Sequence, residues 1–427
     1  APHQPWAELR RKGAYQMKKR KLAAAFLSAC LLGGCMKSVR LNERGIVRAL
    51  GIDLPASGGC RLTMQINLPS GEDAADKPLV IEEEGRTITD ALARAAVSQG
   101  KQLFLGDCRL IVLGQALAQM DASPALDFLN TNSMITPSAT VLLAEGTANE
   151  ILGIQEKAPQ LDAEGLIEMT EGAYHYGRAP RSRLLDLINA AESDHLAGTL
   201  AVVSVEGKGS GTSPSPDSQP DEGEASENPE ESDAGSPDTP ESEGASGEKP
   251  AQAEVSGVAV FDRGHLGFLM EEEAARGFGW MQKGIRGAPL VVGDERLGKV
   301  STLTVSHRAK IVPEAVGDLL VFHMEVEIRS AVQETALSPG LTFGEEERAY
   351  AARLQERLVE SQIQEAVDAS RRWGDDLFGL SLLVRQKDPG FYRKHQEDWM
   401  SIVQKSGYDI QVSCEIERTG GTKQEEV

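Results

Sequence analysis

Between Gly207 and Glu254 lie 48 residues with no aromatic side chain and no Leu, Ile, Val or Met. They carry 13 acidic side chains against Lys208 and Lys249 alone. Nothing in such a stretch can offset the entropy of ordering it, so disorder is expected, in an extended, self-repelling form. The flanks constrain the fold. Thr199 to Val205 and Val255 to Asp262 both read as strands, and two strands bracketing a disordered stretch predict a hairpin with a swollen loop. Loop-closure entropy grows slowly with length, so a surface insertion of this size is tolerated. A tentacle reaching a partner is the competing reading. Gly207 to Gly211 resembles a phosphate loop only faintly, because no strand or helix frames it.

The rest of the 427-residue chain bounds the function. It is 40% apolar with a formal charge of −21, a balance unsuited to coating nucleic acid. A mean hydropathy of −0.29 excludes a polytopic membrane protein. Five cysteines, none in a C-x-x-C pair, are too few for a disulfide-dense scaffold and argue against a zinc ribbon.

The N-terminal region reads as an address. Residues 1–16 precede Met17, the expected initiator, and residues 17–34 read as a signal peptide. Met17 is followed by Lys18, Lys19, Arg20 and Lys21, then by an eleven-residue uncharged run, Leu22 to Leu32. That length suits a signal-peptide core, whereas a spanning helix needs about 20 residues. Leu32, Gly33 and Gly34 before Cys35 resemble the lipobox of bacterial lipoproteins. Small residues let an extended backbone enter a peptidase, and the Cys35 thiol is the nucleophile that accepts a diacylglycerol. With an N-acyl chain added, this covalent lipid would hold the acidic chain at a membrane. Cys30 falls in the removed segment.

The expected fold class is α+β, with mixed and antiparallel sheets packed with helices. Ile46 to Asp53, Arg61 to Leu68, Ser138 to Ala144, Val300 to Val312, Leu319 to Val332 and Ile410 to Ile416 read as strands; Leu103 to Leu113 reads as a buried strand pair or one bent strand. Thr87 to Asp90 and Thr147 to Glu150 open helices in capping-box style, the first ending at Gly100. A long helix is predicted over Glu345 to Trp373 and a further one over Tyr392 to Val403. No regular βαβ rhythm is visible. The expected division is residues 35–198, an N-terminal domain; 199–300, a middle region with the insertion 207–254; and 301–427, a C-terminal domain.

Catalytic chemistry finds little support. The seven histidines fall in no ligand spacing, there is no G-x-S-x-G elbow, and no catalytic or metal-binding residue is assigned. Asp375 and Asp376 read as solvated or capping acids, Trp280, Trp373 and Trp399 as core. Cys60 and Cys108 could bridge, with buried free thiols preferred.

Several stretches, taken in order, resemble the C-subunit lipoproteins of spore germinant receptors, the Ger(x)C family. They are Ala49 to Asp53, Lys101 to Gly114, Gly257 to Phe261 with Leu266 to Leu269, Trp373 to Gly379, the Trp399 helix and the end at Arg418 to Gly420. Departures are Met36 after the lipobox, the length of the insertion, and a missing second glycine near Phe378 to Leu380. The resemblance implies three α+β domains and a place on the outer face of the spore's inner membrane. It also implies integral membrane A- and B-type subunits as partners, and a role in nutrient-triggered germination without catalysis or cofactor. A solute-binding lipoprotein of a transporter is the alternative, although its usual repeated βαβ lobes are not seen.

Overall fold

The computed structural model describes residues 44–67, 78–205, 252–374 and 376–417. The leader and nearly all of the acidic segment, with the disorder expected of it, lie outside these residues. Strand β1 (Arg44–Asp53) is buried throughout from Ala49 to Asp53. An unbroken apolar run of this kind belongs at the centre of a sheet covered on both faces. β1 pairs antiparallel with β2 (Cys60–Asn67), and β2 with β3 (Leu79–Gly85). Helix α1 (Ile88–Gln99) follows. The Thr87 side chain accepts from the Asp90 N–H at its start, and Gly100, at φ 59°, ends it in the left-handed conformation that favours glycine. A short β4 (Gln102–Phe104) also joins β1.

The other flank of β1 is parallel. β1 runs alongside β5 (Leu110–Leu113), β5 alongside β6 (Thr140–Ala144), and β6 alongside β7 (Gly198–Val205). The crossovers hold α2 (Gln115–Met120) and α3 (Ser123–Thr131), then α4 (Ala148–Gly153), α5 (Ala163–His175) and α6 (Leu184–Ala191). This strand–helix rhythm was not expected. Each crossover is broken into short helices, so no single long helical period separates the strands. Alternation along the strands feeds two cores. Leu50, Ile52, Ile111 and Leu113 face α1, α3 and α6, whereas Ala49, Leu110, Val112 and Leu142 face α4 and α5.

β8 (Ala253–Asp262) pairs antiparallel with β7 from Gly198↔Phe261 to Val205↔Ala253. The acidic segment therefore joins the ends of one hairpin, as the flanking strands imply. Ala253 and Glu254, assigned to that segment from composition, already belong to the ladder. β9 (His265–Leu269) forms the edge of a sheet that has nine strands among the described residues.

Helix α7 (Glu272–Trp280) leads to a second sheet in the order β10 (Pro289–Asp294), β11 (Gly298–Val316), β12 (Leu319–Leu337), β13 (Gly407–Glu417). β11 and β12 are a long antiparallel hairpin, and β13 returns parallel to β12. Helix α8 (Glu345–Trp373) covers one face of it. Its buried stripe includes Ala352, Gln355, Val359, Ile363 and Ser370, whereas the larger Tyr350, Leu354 and Leu358 are half-buried at its margin. Small and polar residues take the stripe because Gln355 donates to Thr302 Oγ1 at 2.7 Å and accepts from Ser330 at 3.2 Å, both on the sheet.

α9 (Leu380–Lys387), α10 (Pro389–His395) and α11 (Trp399–Lys405) cap the end of this layer. The single helix expected over Tyr392 to Val403 is two. Asp388 caps a start at Pro389, and a 3₁₀ turn at Gln396–Asp398 places two acids before the N-terminus of α11, where the helix dipole favours them. The described residues from Gly45 onward pack as one unit. A shared core joins Val258 and Val260 of β8 to Phe278 of α7 and to Ala366 and Ala369 of α8.

Candidate functional site

Cys35, Leu32, Gly33 and Gly34, the residues assigned to lipid attachment and processing, lie outside the described residues, as does Asp375. Arg418 to Gly420, the last stretch of the family resemblance, also lies outside them; among the described stretches, two acidic residues prove to be structural posts.

Asp53 ends β1. Its carboxylate accepts from the N–H groups of Ala148 at 2.8 Å and Asn149 at 3.1 Å, the first turn of α4. Thr147 and Glu150 complete a capping box there. A Cβ on Gly114 would lie 2.0 Å from Asp53 Oδ1, so only glycine fits beside it. Burial pushes this carboxyl above its ordinary range, against the pull of the two backbone donors. Asp376 is a second such post. It is fully buried and accepts from the N–H groups of Leu380 and Ser381 at 2.7 Å each, starting α9. Its carbonyl accepts from Ala197 N–H at 3.3 Å, tying the approach to β7 onto the second half of the chain. Burial raises this carboxyl as well. The capping role expected at Asp375–Asp376 thus holds for Asp376.

Both carboxylates are committed to helix N–H groups, which leaves neither placed as a base beside a nucleophile. Around Asp107 and Arg109 the charged residues join a surface network instead. Arg48 pairs with Asp107, and Arg109 reaches Glu164 at 3.0 Å.

The three described thiols, Cys60, Cys108 and Cys414, are unbridged. Cys108 is fully buried, and burial pushes its thiol up to about 12, as it does for Cys414. Such thiols are inert packing groups. Among the described residues no three His, Cys, Asp or Glu side chains are grouped to hold a metal ion. His307 is held by the Trp280 carbonyl at 2.8 Å, and burial lowers its pKa. His323 behaves oppositely. It bridges Asp409 at 2.9 Å and Glu314 at 3.0 Å across three strands, and those hydrogen bonds raise its pKa.

One aromatic contradicts expectation. Trp280 and Trp399 are core, but Trp373 is 53% exposed. It is the last residue of α8, where the helix runs past the core before Gly374 ends it. Its ring stacks on Phe268 of edge strand β9, centroids 4.6 Å apart and planes 9° from parallel. An exposed Trp stacked on a half-buried Phe is a type of surface that protein partners use. No helix among the described residues is long and apolar enough to cross a membrane.

Comparison with known proteins bears on both halves. Residues 37–205 match the family model "Spore germination protein N-terminal domain", and residues 256–420 match "Spore germination B3/GerAC like, C-terminal". Spore germination protein KC of Bacillus subtilis (strain 168) is 23% identical over 411 residues, 92% of this chain and 94% of that protein. Spore germination protein B3 of the same organism is 20% identical over 411 residues, 93% and 96% of the two chains. The crystal structure of the GerBC protein superposes with a TM-score of 0.52 at 14% identity, covering 86% of this chain and 97% of the other, which supports the multi-part α+β fold. With both models matched in order along most of its length, the chain belongs to the GerAC family of spore germination proteins.

Proposed function

We propose that this chain is the lipid-anchored, non-enzymatic subunit of a spore germinant receptor, held at the outer face of the inner membrane by Cys35 and docked on integral membrane partner subunits. The observation that carries the reading is the match of both family models over residues 37–205 and 256–420. The commitment of Asp53 and Asp376 to helix caps is in keeping with contact rather than reaction.

The tether is short. Eight residues, 36–43, lie between Cys35 and Arg44, the first residue of β1, so nine residue-to-residue steps join them. Fully extended, those nine steps span about 30 Å. A lipid on Cys35 would hold the first sheet within that distance of the bilayer and raise its effective concentration beside membrane partners. Exposed Trp373, with its stack on half-buried Phe268, is the surface we assign to that contact.

Cys35→Ala should move the chain from the membrane to the soluble fraction of spores and impair nutrient-triggered germination. Trp373→Ala should leave the chain at the membrane, and folded, while co-purification with the A- and B-type subunits falls. Full germination with a released C35A chain would refute the anchoring role, and undiminished co-purification of W373A would refute the assigned surface.

A further inference from the structure

A cavity of about 240 Å³ opens between helix α5 and the extended segment that leads into α6. It plays no part in the function proposed above. Its wall on one side is a single stripe of α5, Ile167, Thr170, Glu171 and Tyr174, spaced as one helical face. The other side carries Arg181 and Arg183. Thr140 bridges to Arg183 across an isolated β-pair, and Arg183 is extended at φ −114°, ψ 145°. On an extended backbone residues two apart project to the same side. The residue between them, Ser182, is buried and accepts from Ala201 N–H at 2.6 Å.

The charge arrangement is unusual for so acidic a chain. Arg109, also in the wall, is paired with Glu164 at 3.0 Å. Arg181 and Arg183 have no carboxylate partner among the described residues, although acids outnumber bases by 65 to 44 in the sequence. Arg181 lies over the Tyr174 ring at 4.8 Å from its centroid. Stacking of that kind fixes the guanidinium plane and leaves its in-plane N–H groups free to donate. Hydroxyls complete the lining. Thr136 and Ser138 hydrogen-bond each other at 2.9 Å, and Thr140 lies beside them.

Two guanidiniums and several hydroxyls offer more donors than one carboxylate has lone pairs to accept, and they match the three terminal oxygens of a phosphate group. We propose that this cavity binds a phosphate group, with Arg181 and Arg183 as its principal ligands and the Thr136–Ser138–Thr140 hydroxyls as further donors. Glu171 on the opposite wall accepts from a hydroxyl or amine on whatever the phosphate is attached to. The group could be supplied in solution or by a lipid headgroup, and the two sources are separable by experiment.

The test uses the full chain in detergent. Isothermal titration with inorganic phosphate at constant ionic strength should show saturable binding, weakened about tenfold or more by R181Q/R183Q, since charge-assisted bonds are lost. Both side chains are exposed, so the variant should keep the parent's circular dichroism and unfolding midpoint. Arg308→Gln, on the far sheet, should bind as the parent does. In a second arm, vesicles of phosphatidylglycerol and of phosphatidylcholine are offered, without detergent, to the parent and R181Q/R183Q chains both carrying C35A, so that no acyl anchor contributes to binding. Binding to phosphatidylglycerol alone that R181Q/R183Q abolishes would assign the phosphate to a lipid. Binding to neither phosphate nor vesicles, binding undiminished in the double variant, or preference for succinate over phosphate would overturn the proposal.

Discussion

Helix α7 crosses α8 with backbone against backbone, and one methyl group should be enough to force them apart. A Cβ on Gly277 would lie 1.8 Å from the main-chain oxygen of Gln362 and 2.7 Å from the nitrogen of Ile363. A carbon needs about 3.3 Å from a carbonyl oxygen, so the helices would have to separate by about 1.5 Å. The oxygen belongs to the α8 backbone, so trimming the Gln362 side chain offers no relief. The same crossing holds the buried bond from Trp280 Nε1 to Gln362 Oε1, 2.8 Å, and that from Gln362 Nε2 to Glu273, 2.8 Å. Overpacking costs about 1–3 kcal/mol and a broken buried hydrogen bond about 1–3 kcal/mol. Better helix propensity returns about 1 kcal/mol. Gly277→Ala should therefore destabilise the chain by about 3 kcal/mol. Gly172→Ala is the control. It also lies inside a helix, α5, but an added Cβ there meets nothing within 4 Å. That substitution should stabilise by about 0.5–1 kcal/mol. Urea unfolding followed by circular dichroism reads both, and the midpoints should move in opposite directions. Equal shifts, or a neutral G277A, would refute the close crossing.

Further outcomes follow from single groups. Asp376→Ala strands the N–H groups of Leu380 and Ser381 in a buried site and should cost about 3 kcal/mol in the same assay. A loss under about 0.5 kcal/mol would mean the cap is dispensable. His323 holds its proton more tightly folded than unfolded, chiefly through Asp409 and then Glu314. Its stabilising contribution is full below the ordinary histidine value of 6.5 and is lost as pH rises through the raised folded value. H323Q should flatten the stability–pH profile in that window, and an identical profile would contradict the bridge. Cys108 should resist a thiol reagent such as Ellman's until the chain unfolds, because it is buried and its thiol is held up to about 12. Fast labelling at neutral pH in the native state would show that it is neither.

Local chemistry was legible wherever it is self-contained. Thr87 and Gly100 bound α1, and Thr147 and Glu150 cap α4, because a cap needs only residues three or four apart. The bounds of α8 were legible for the same reason: an acidic first turn, and Gly374 at its end. The hairpin flanking the acidic segment was legible because composition alone sets both the strands and the gap. What failed depends on partners distant in sequence. Trp373 carries the same side chain as Trp399, yet one is exposed and the other fully buried. Only the point at which α8 outruns its sheet decides between them. Gln355 belongs in the α8 core because Thr302 and Ser330 face it from the sheet.

The sequence by itself determined the α+β composition, the helix caps, the hairpin around the acidic segment and the ordered stretches by which the family is known. These rest on near-neighbour patterns of polarity and backbone preference. The tertiary structure alone decided that β1, β5, β6 and β7 form a parallel centre, that Asp53 and Asp376 are buried posts, and that Arg181 and Arg183 face a helix stripe across a cavity. Each of these joins groups far apart along the chain, whose meeting is set by how whole layers pack and by no local signal.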